Sequence, residues 1–264
     1  MLKFITSFNE ELHGQYGERF LNTWKKHSSP DIYLTVYCEG GTSWLGQDLL
    51  SENITAASLE SDELTSFRSI FGKFIQAQGG VIQLANEKEN LYRFNYNYRF
   101  DALRFCFKAF SFHQELKSSD LARHSHLCWI DADVVCKEYF SPQTLTPVLP
   151  IGSQLASYLG RTSFPPTRPH SECGFWGINL HHPEAITFIE SYIGMYTSGS
   201  LFLRPEWHDC EAFDHVRKNF EALNFNFLNI SGKFEDEEHP FVKSKLGEFF
   251  DHLKGPARKS RGHS

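Results

Sequence analysis

No C-x-x-C pair occurs among the six cysteines of this 264-residue sequence. Cys38, Cys106, Cys128, Cys136, Cys173 and Cys210 are scattered, a spacing that speaks against a structural zinc site. They read as reduced and mostly buried thiols. Long hydrophobic runs are also missing. No stretch approaches the roughly 18 to 20 apolar residues that span a bilayer. Met1–Phe8 reaches the polar Asn9-Glu10-Glu11 too early to hold a signal-peptide core, so a cytoplasmic location is expected. Without secretion, the sequon matches Asn53-Ile-Thr and Asn229-Ile-Ser carry no weight. Excess positive charge is absent too. Lys and Arg total 26 against 32 Asp and Glu, a formal net charge of -6, which argues against general nucleic-acid affinity. There is no internal repeat and no low-complexity linker, so a single domain with a sizeable core is expected. Aromatic residues are abundant, with 25 Phe, 10 Tyr and 5 Trp, and their helical and strand spacing marks most of them as core.

The hydrophobic periodicity predicts an α/β protein. Leu2–Ser7 reads as a strand, Gly14–Lys26 as a helix with Tyr16, Phe20 and Trp24 on one face, and Ile32–Tyr37 as a second strand. Strand, helix, strand at this spacing is a βαβ unit and implies a parallel sheet. Residues 40–60 are polar and carry no clear pattern. Asp62–Gln76 is amphipathic and stops at Gly79-Gly80. Asn86–Asn97 reads as a loop, Phe100–Glu115 as a strong helix and Pro142–Pro150 as a turn-rich break. Strands are expected at Leu155–Leu159, Phe175–Leu180 and Phe225–Ile230, and helices from Pro183 to Met195 and from Asp209 to Leu223. Phe164–Pro169 reads as a rigid loop, Glu235–Glu238 as an exposed acidic run and Lys254–Arg261 as a basic tail.

The stretch with the sharpest chemistry is His126-Leu-Cys-Trp-Ile-Asp-Ala-Asp-Val-Val-Cys136. Leu127–Ile130 reads as a buried strand. It ends in Asp131-Ala132-Asp133. Two carboxylates one residue apart at the mouth of a buried strand are costly unless a cation lies between them. Oxygen ligands suit Mg²⁺ or Mn²⁺, which keep open positions for water and phosphates. The bland alternative is a pair of solvated acids at a strand end.

Taken with three further segments, this pattern resembles the GT-A-type glycosyltransferases, glycogenin-like and bacterial or phage enzymes among them. The resemblance implies a Rossmann-like, mixed but mostly parallel sheet flanked by helices. It also implies a nucleotide-binding half over about 1–135, an acceptor or sugar half over about 136–250, and a donor-phosphate loop at 251–264. In that family a metal-binding D-x-D holds a nucleotide-sugar donor. Asp133 would then hold the metal, and Asp131 would touch the metal or the donor ribose. Arg104 and Lys108, one helical turn apart, would face the donor diphosphate or sugar hydroxyls.

Ser171-Glu-Cys-Gly-Phe-Trp-Gly-Ile-Asn-Leu180 looks like the family's sugar-contact segment, with Glu172 where Asn is usual. Glu172 would grip sugar hydroxyls, and Gly174 and Gly177 would let backbone approach the ligand. Trp207-His-Asp-Cys210 opens a helix. There Asp209 would be a base for the acceptor or a sugar-binding acid, with His208 as the other candidate. His252-Leu-Lys-Gly-Pro-Ala-Arg-Lys259 is similar to the family's H-x-x-G-x-x-K-P-W ending, without its Pro-Trp. His252 would complete the metal site, and Lys254, Arg258 and Lys259 would meet the diphosphate. Thr6, Ser7, Phe8 and Glu39 are the nucleoside-contact candidates.

The implied activity is metal-dependent transfer of a sugar from a nucleoside-diphosphate sugar, UDP-sugar first, to a hydroxyl of a glycan or other macromolecule. The implied setting is a bacterial or phage-infected cytosol. The tail looks like the retaining relatives and Asp209 like an inverting base, so the stereochemistry stays open. Three other readings are carried: a phage-type glycosyltransferase acting on hydroxymethylated bases in DNA, a haloacid dehalogenase-like phosphatase, and a non-catalytic nucleotide-sugar-binding protein.

Overall fold

The computed structural model describes residues 1–86, 91–161, 170–231 and 239–253. The expected loop at Phe164–Pro169, the acidic run at Glu235–Glu238 and the basic tail with Lys254, Arg258 and Lys259 lie outside the described residues.

Strand β1 (Leu2–Phe8) alternates across the sheet. Phe4 and Phe8 pack into one core, and Ile5 packs into a second core on the other face. Asn9 caps a single turn, α1 (Glu10–Leu12), by accepting from Leu12 N–H at 2.9 Å. A π-type turn over His13–Gly17 follows and leads into α2 (Glu18–His27). Tyr16, Phe20 and Trp24 are buried together as their spacing predicts, but the single helix expected over Gly14–Lys26 is broken by the π turn. Next come β2 (Ile32–Cys38), β3 (Ile54–Ser58) and α3 (Asp62–Phe71). β3 falls in the stretch that carried no pattern. It is a half-buried edge strand of mostly small residues, Ile-Thr-Ala-Ala-Ser, which carry no strong apolar alternation. α3 stops at Gly72, short of the expected Gln76, and Phe74 and Ile75 are exposed beyond it.

A second departure is the antiparallel hairpin of β4 (Gly80–Asn86) and β5 (Leu91–Tyr96), where a loop was expected over 86–97. Tyr92, Phe94 and Tyr96 alternate with polar residues at the period of a strand, and this pattern outweighs the segment's polarity. Beyond it lie α4 (Ala102–Leu116), β6 (His126–Ile130), β7 (Val134–Cys136), α5 (Pro142–Leu145) and β8 (Gln154–Leu159). The chain continues through β9 (Glu172–Asn179), α6 (Ala185–Thr197), α7 (Asp209–Ala222) and β10 (Asn226–Asn229). It closes with α8 (Pro240–Lys243), α9 (Leu246–Phe249) and β11 (Phe250–His252).

The fold is mixed α/β and Rossmann-like. The central sheet has seven strands in the order β10-β8-β9-β6-β1-β2-β3. Only β9 runs against the rest, pairing antiparallel with both β6 and β8. One core holds Phe4, Trp24, Phe140 and Phe250; the other packs α4, α6 and α7 residues such as Phe112, Tyr192 and Phe213 around Trp176. Cysteines 38, 106, 128, 136 and 173 are buried free thiols, Cys210 is a partly buried one, and no disulfide joins them. No helix among the described residues is long and apolar enough to cross a membrane.

Two irregularities shape the site. The β8–β9 ladder pairs Tyr158 with Trp176 and then Leu159 with Glu172, so Cys173, Gly174 and Phe175 are skipped. Such a bulge re-aims the groups inside it. The second is the small antiparallel ribbon of β7 and β11, which sets His252 opposite Val134.

Candidate functional site

A cleft of about 560 Å³ opens at the carboxyl ends of β1, β2 and β6. Open α/β sheets bind ligands at this edge, where the strand order reverses around the first strand. Ser7 lines the cleft from β1, Asn9, Glu11, Gln15 and Tyr16 from the segment after it, and Glu39 from the end of β2. Arg104 and Lys108 line it from α4, and Trp129, Asp131 and Asp133 from β6 and its exit.

The acids after β6 are brought to an imidazole by strand pairing. Val134-Val135-Cys136 resumes as β7 and pairs with β11, and Leu253 N–H donates to the Asp133 carbonyl at 2.9 Å. His252 Nε2 thereby lies 2.9 Å from Asp133 Oδ1 and 3.7 Å from Asp131 Oδ2, across 119 residues of chain. His252 is fully buried. Two carboxylate oxygens and one imidazole nitrogen, all within 4.8 Å of one another, form a donor set that suits Mn²⁺ or Mg²⁺. Trp129 Nε1 donates to Asp131 Oδ1 at 2.6 Å and fixes that carboxylate.

Lys108 sits beneath the acids. Its ammonium donates to the Cys173 carbonyl inside the bulge at 2.7 Å and to Asp209 Oδ2, and lies 3.3 Å from Asp131 Oδ1. Burial alone would lower this ammonium's pKa, but Asp131 and Asp209 outweigh it and hold it well above the usual lysine range. Burial would likewise raise Asp209, yet Lys108 and His208 hold its carboxyl well below the usual carboxylate range. Arg104, one turn earlier, lines the cleft and donates to the Tyr96 hydroxyl at 3.3 Å. The shared face expected of Arg104 and Lys108 is therefore present, with α4 started by Asp101 accepting from Arg104 N–H at 3.0 Å.

Several expected site residues lie elsewhere. Thr6 and Phe8 are fully buried in the sheet, because the period of two sends them away from the face that Ser7 presents. Glu172 is buried behind His252 and does not line the cleft. Its Oε2 is held by Arg161 at 2.5 Å. A sugar-gripping role for Glu172 does not fit that burial. His208 is buried as well. It caps α7, with Cys210 N–H 3.2 Å from its Nδ1 and Glu206 2.7 Å from its Nε2. Asp209 reaches the cleft, but its Oδ2 faces Lys108 and its Oδ1 accepts from Cys210 N–H at 2.9 Å. Gly174 and Gly177 permit close approach of protein, not ligand: a Cβ on Gly174 would stand 2.5 Å from His252 Cε1, and one on Gly177 would stand 3.1 Å from Cys128 Sγ.

The cleft residues of the turn after β1 were not anticipated. The Asn9 cap before Glu10-Glu11 was the available signal for where that backbone turns. Tyr16 stands close enough to Asp131 and Asp133 that both, after burial, push its phenol well above the usual range.

Glu39 is the cleft's pH-sensitive group. Burial pushes its carboxyl up to about 7, although Ser7 Oγ donates to it at 3.1 Å. The folded chain thus keeps a proton that the unfolded chain releases near pH 4.5. Glu39 binds more protons folded than unfolded, so its own contribution to stability falls as pH rises from about 4.5 to about 7, by about 3 kcal/mol at most. Glu39→Gln is expected to flatten that slope in melting temperatures measured across this window. An unchanged slope would show that Glu39 is not its source.

No protein-family model matches the chain, and no curated protein matches it in sequence.

Proposed function

We propose that the chain is a metal-dependent glycosyltransferase that draws a sugar from a nucleoside-diphosphate donor, UDP-sugar first, and passes it to a hydroxyl of a glycan or other macromolecule. The observation that carries this reading is the convergence of the buried His252 on Asp131 and Asp133, two acids that line a cleft on the carboxyl edge of the sheet. Ser7 and Glu39 line the part of the cleft suited to a nucleoside, and Arg104 offers a guanidinium for a phosphate or sugar hydroxyl. Asp131, Asp133 and His252 would hold Mn²⁺ or Mg²⁺. Such an ion, when bound, neutralises charge developing on a leaving diphosphate.

Lys108 adds a fixed positive charge beside Asp131, in a site where it need not reorganise during reaction. Asp209, bonded to Lys108 and poor as a proton acceptor, orients that ammonium and does not serve as the base. The test is a thermal-shift screen of nucleotide sugars with and without Mn²⁺. A donor at a hundred times its Kd raises stability by about 2.7 kcal/mol. That rise is expected for a UDP-sugar only when Mn²⁺ is present. If no nucleotide sugar shifts the melt with Mn²⁺ present, the proposal fails.

A further inference from the structure

The buried Glu172 and its half-buried partner Arg161 lie behind the candidate metal site and have no part in the scheme above. His252 is fully buried, and its two ring nitrogens have unlike surroundings. Nε2 faces Asp133 at 2.9 Å. Nδ1 is inaccessible and has no hydrogen-bond partner among the described residues; the nearest carboxylate oxygen is Glu172 Oε1, at 4.0 Å. In this geometry the ring proton belongs on Nε2, shared with Asp133, and Nδ1 is an orphaned buried acceptor.

A cation at Asp131 and Asp133 reverses that arrangement. Nε2 must then offer its lone pair, and the single ring proton must sit on Nδ1. Glu172 is placed to accept it. Arg161 takes Glu172 Oε2 at 2.5 Å, His239 Nε2 lies 3.4 Å from the same oxygen, and Gly174 N–H donates to Oε1 at 3.3 Å, so Oε1 is the oxygen turned toward His252. The imidazole can lie this close because position 174 carries no Cβ. We infer that Glu172 is a positioning residue: anchored by Arg161, it receives the Nδ1–H of His252 and so presents Nε2 to a divalent cation at Asp131 and Asp133. This rests on the metal site proposed above. Carboxylate partners of metal-ligating histidines generally strengthen binding about 10- to 100-fold.

Calorimetric titration of the whole protein with MnCl₂, without donor, tests the role. Wild type is expected to bind one Mn²⁺. Glu172→Gln, which keeps the shape and a neutral acceptor, is expected to bind it about tenfold more weakly, and Glu172→Ala up to about a hundredfold more weakly. Losing the Arg161 ion pair is expected to lower the metal-free melt of Glu172→Gln, so far-UV circular dichroism unchanged from wild type at the titration temperature serves as the fold check. A second readout is the ¹⁵N spectrum of His252 with Mg²⁺, which should show the proton on Nδ1 in wild type and a mixed population in Glu172→Gln. Equal Mn²⁺ affinity in wild type and both variants would overturn the positioning role while leaving the metal site intact. Absence of Mn²⁺ binding in wild type would overturn the site and the role together.

Discussion

Asp133→Asn removes Mn²⁺ binding and lowers donor hydrolysis by about a hundredfold or more, the usual cost of deleting one preorganised electrostatic contact at a reacting diphosphate. The fold is expected to survive. An asparagine Oδ1 can still accept from His252 Nε2–H, and Asp131 loses a like charge beside it. The melting temperature of the metal-free variant therefore stays at or above wild type, while the stabilisation that Mn²⁺ confers disappears. Calorimetry with MnCl₂ and release of free sugar from a nucleotide sugar are the measurements. Full activity in this variant would refute the metal assignment.

Lys108→Met carries the largest expected cost in stability. It leaves Asp209, 4% exposed, and Asp131 facing each other without their shared cation. Removing one partner of a buried pair typically costs about 3–5 kcal/mol. At about 2–4 °C per kcal/mol for a chain of this size class, the melt falls by roughly 10 °C. The pH dependence has a definite sign. In wild type Asp209's pKa is depressed, so its ionised form contributes stability at neutral pH that is lost as pH falls through the acid range. In the variant, burial dominates and raises the Asp209 pKa, so the deficit narrows as pH drops. Adding Asp209→Asn to Lys108→Met should restore much of the loss, since no buried charge then lacks a partner. A double variant no more stable than the single one would show that the pair is not the source.

The elements with strong local patterns were legible. Leu127–Ile130 is the buried strand its apolar run predicts, and Arg104 and Lys108 share a helical face as their spacing requires. The edge strand β3 was not, because it is only half-buried, and the hairpin of β4 and β5 was not, because the polar residues between Tyr92, Phe94 and Tyr96 read as a loop. The interior of the site was the least legible part. Lys108 meets Asp209 across 101 residues, and Glu172 faces away from the cleft because a bulge re-aims the start of β9. Residue type and spacing placed Glu172, His208 and Asp209 at the right ends of their elements. They carried no information on which partner each carboxylate or imidazole would find across the sheet. Thr6 and Phe8 were a simpler error, since strand parity alone assigns them to the opposite face from Ser7.

The β7–β11 ribbon has a consequence for how the site is held. Three residue pairs join it, against seven between β1 and β2. A ribbon that short can open while the large sheet stays closed. A ligand that bridges Asp133 and His252 would act as a clasp, tying the two strands from their open end. Donor binding and the closing of this corner of the protein would then be a single event.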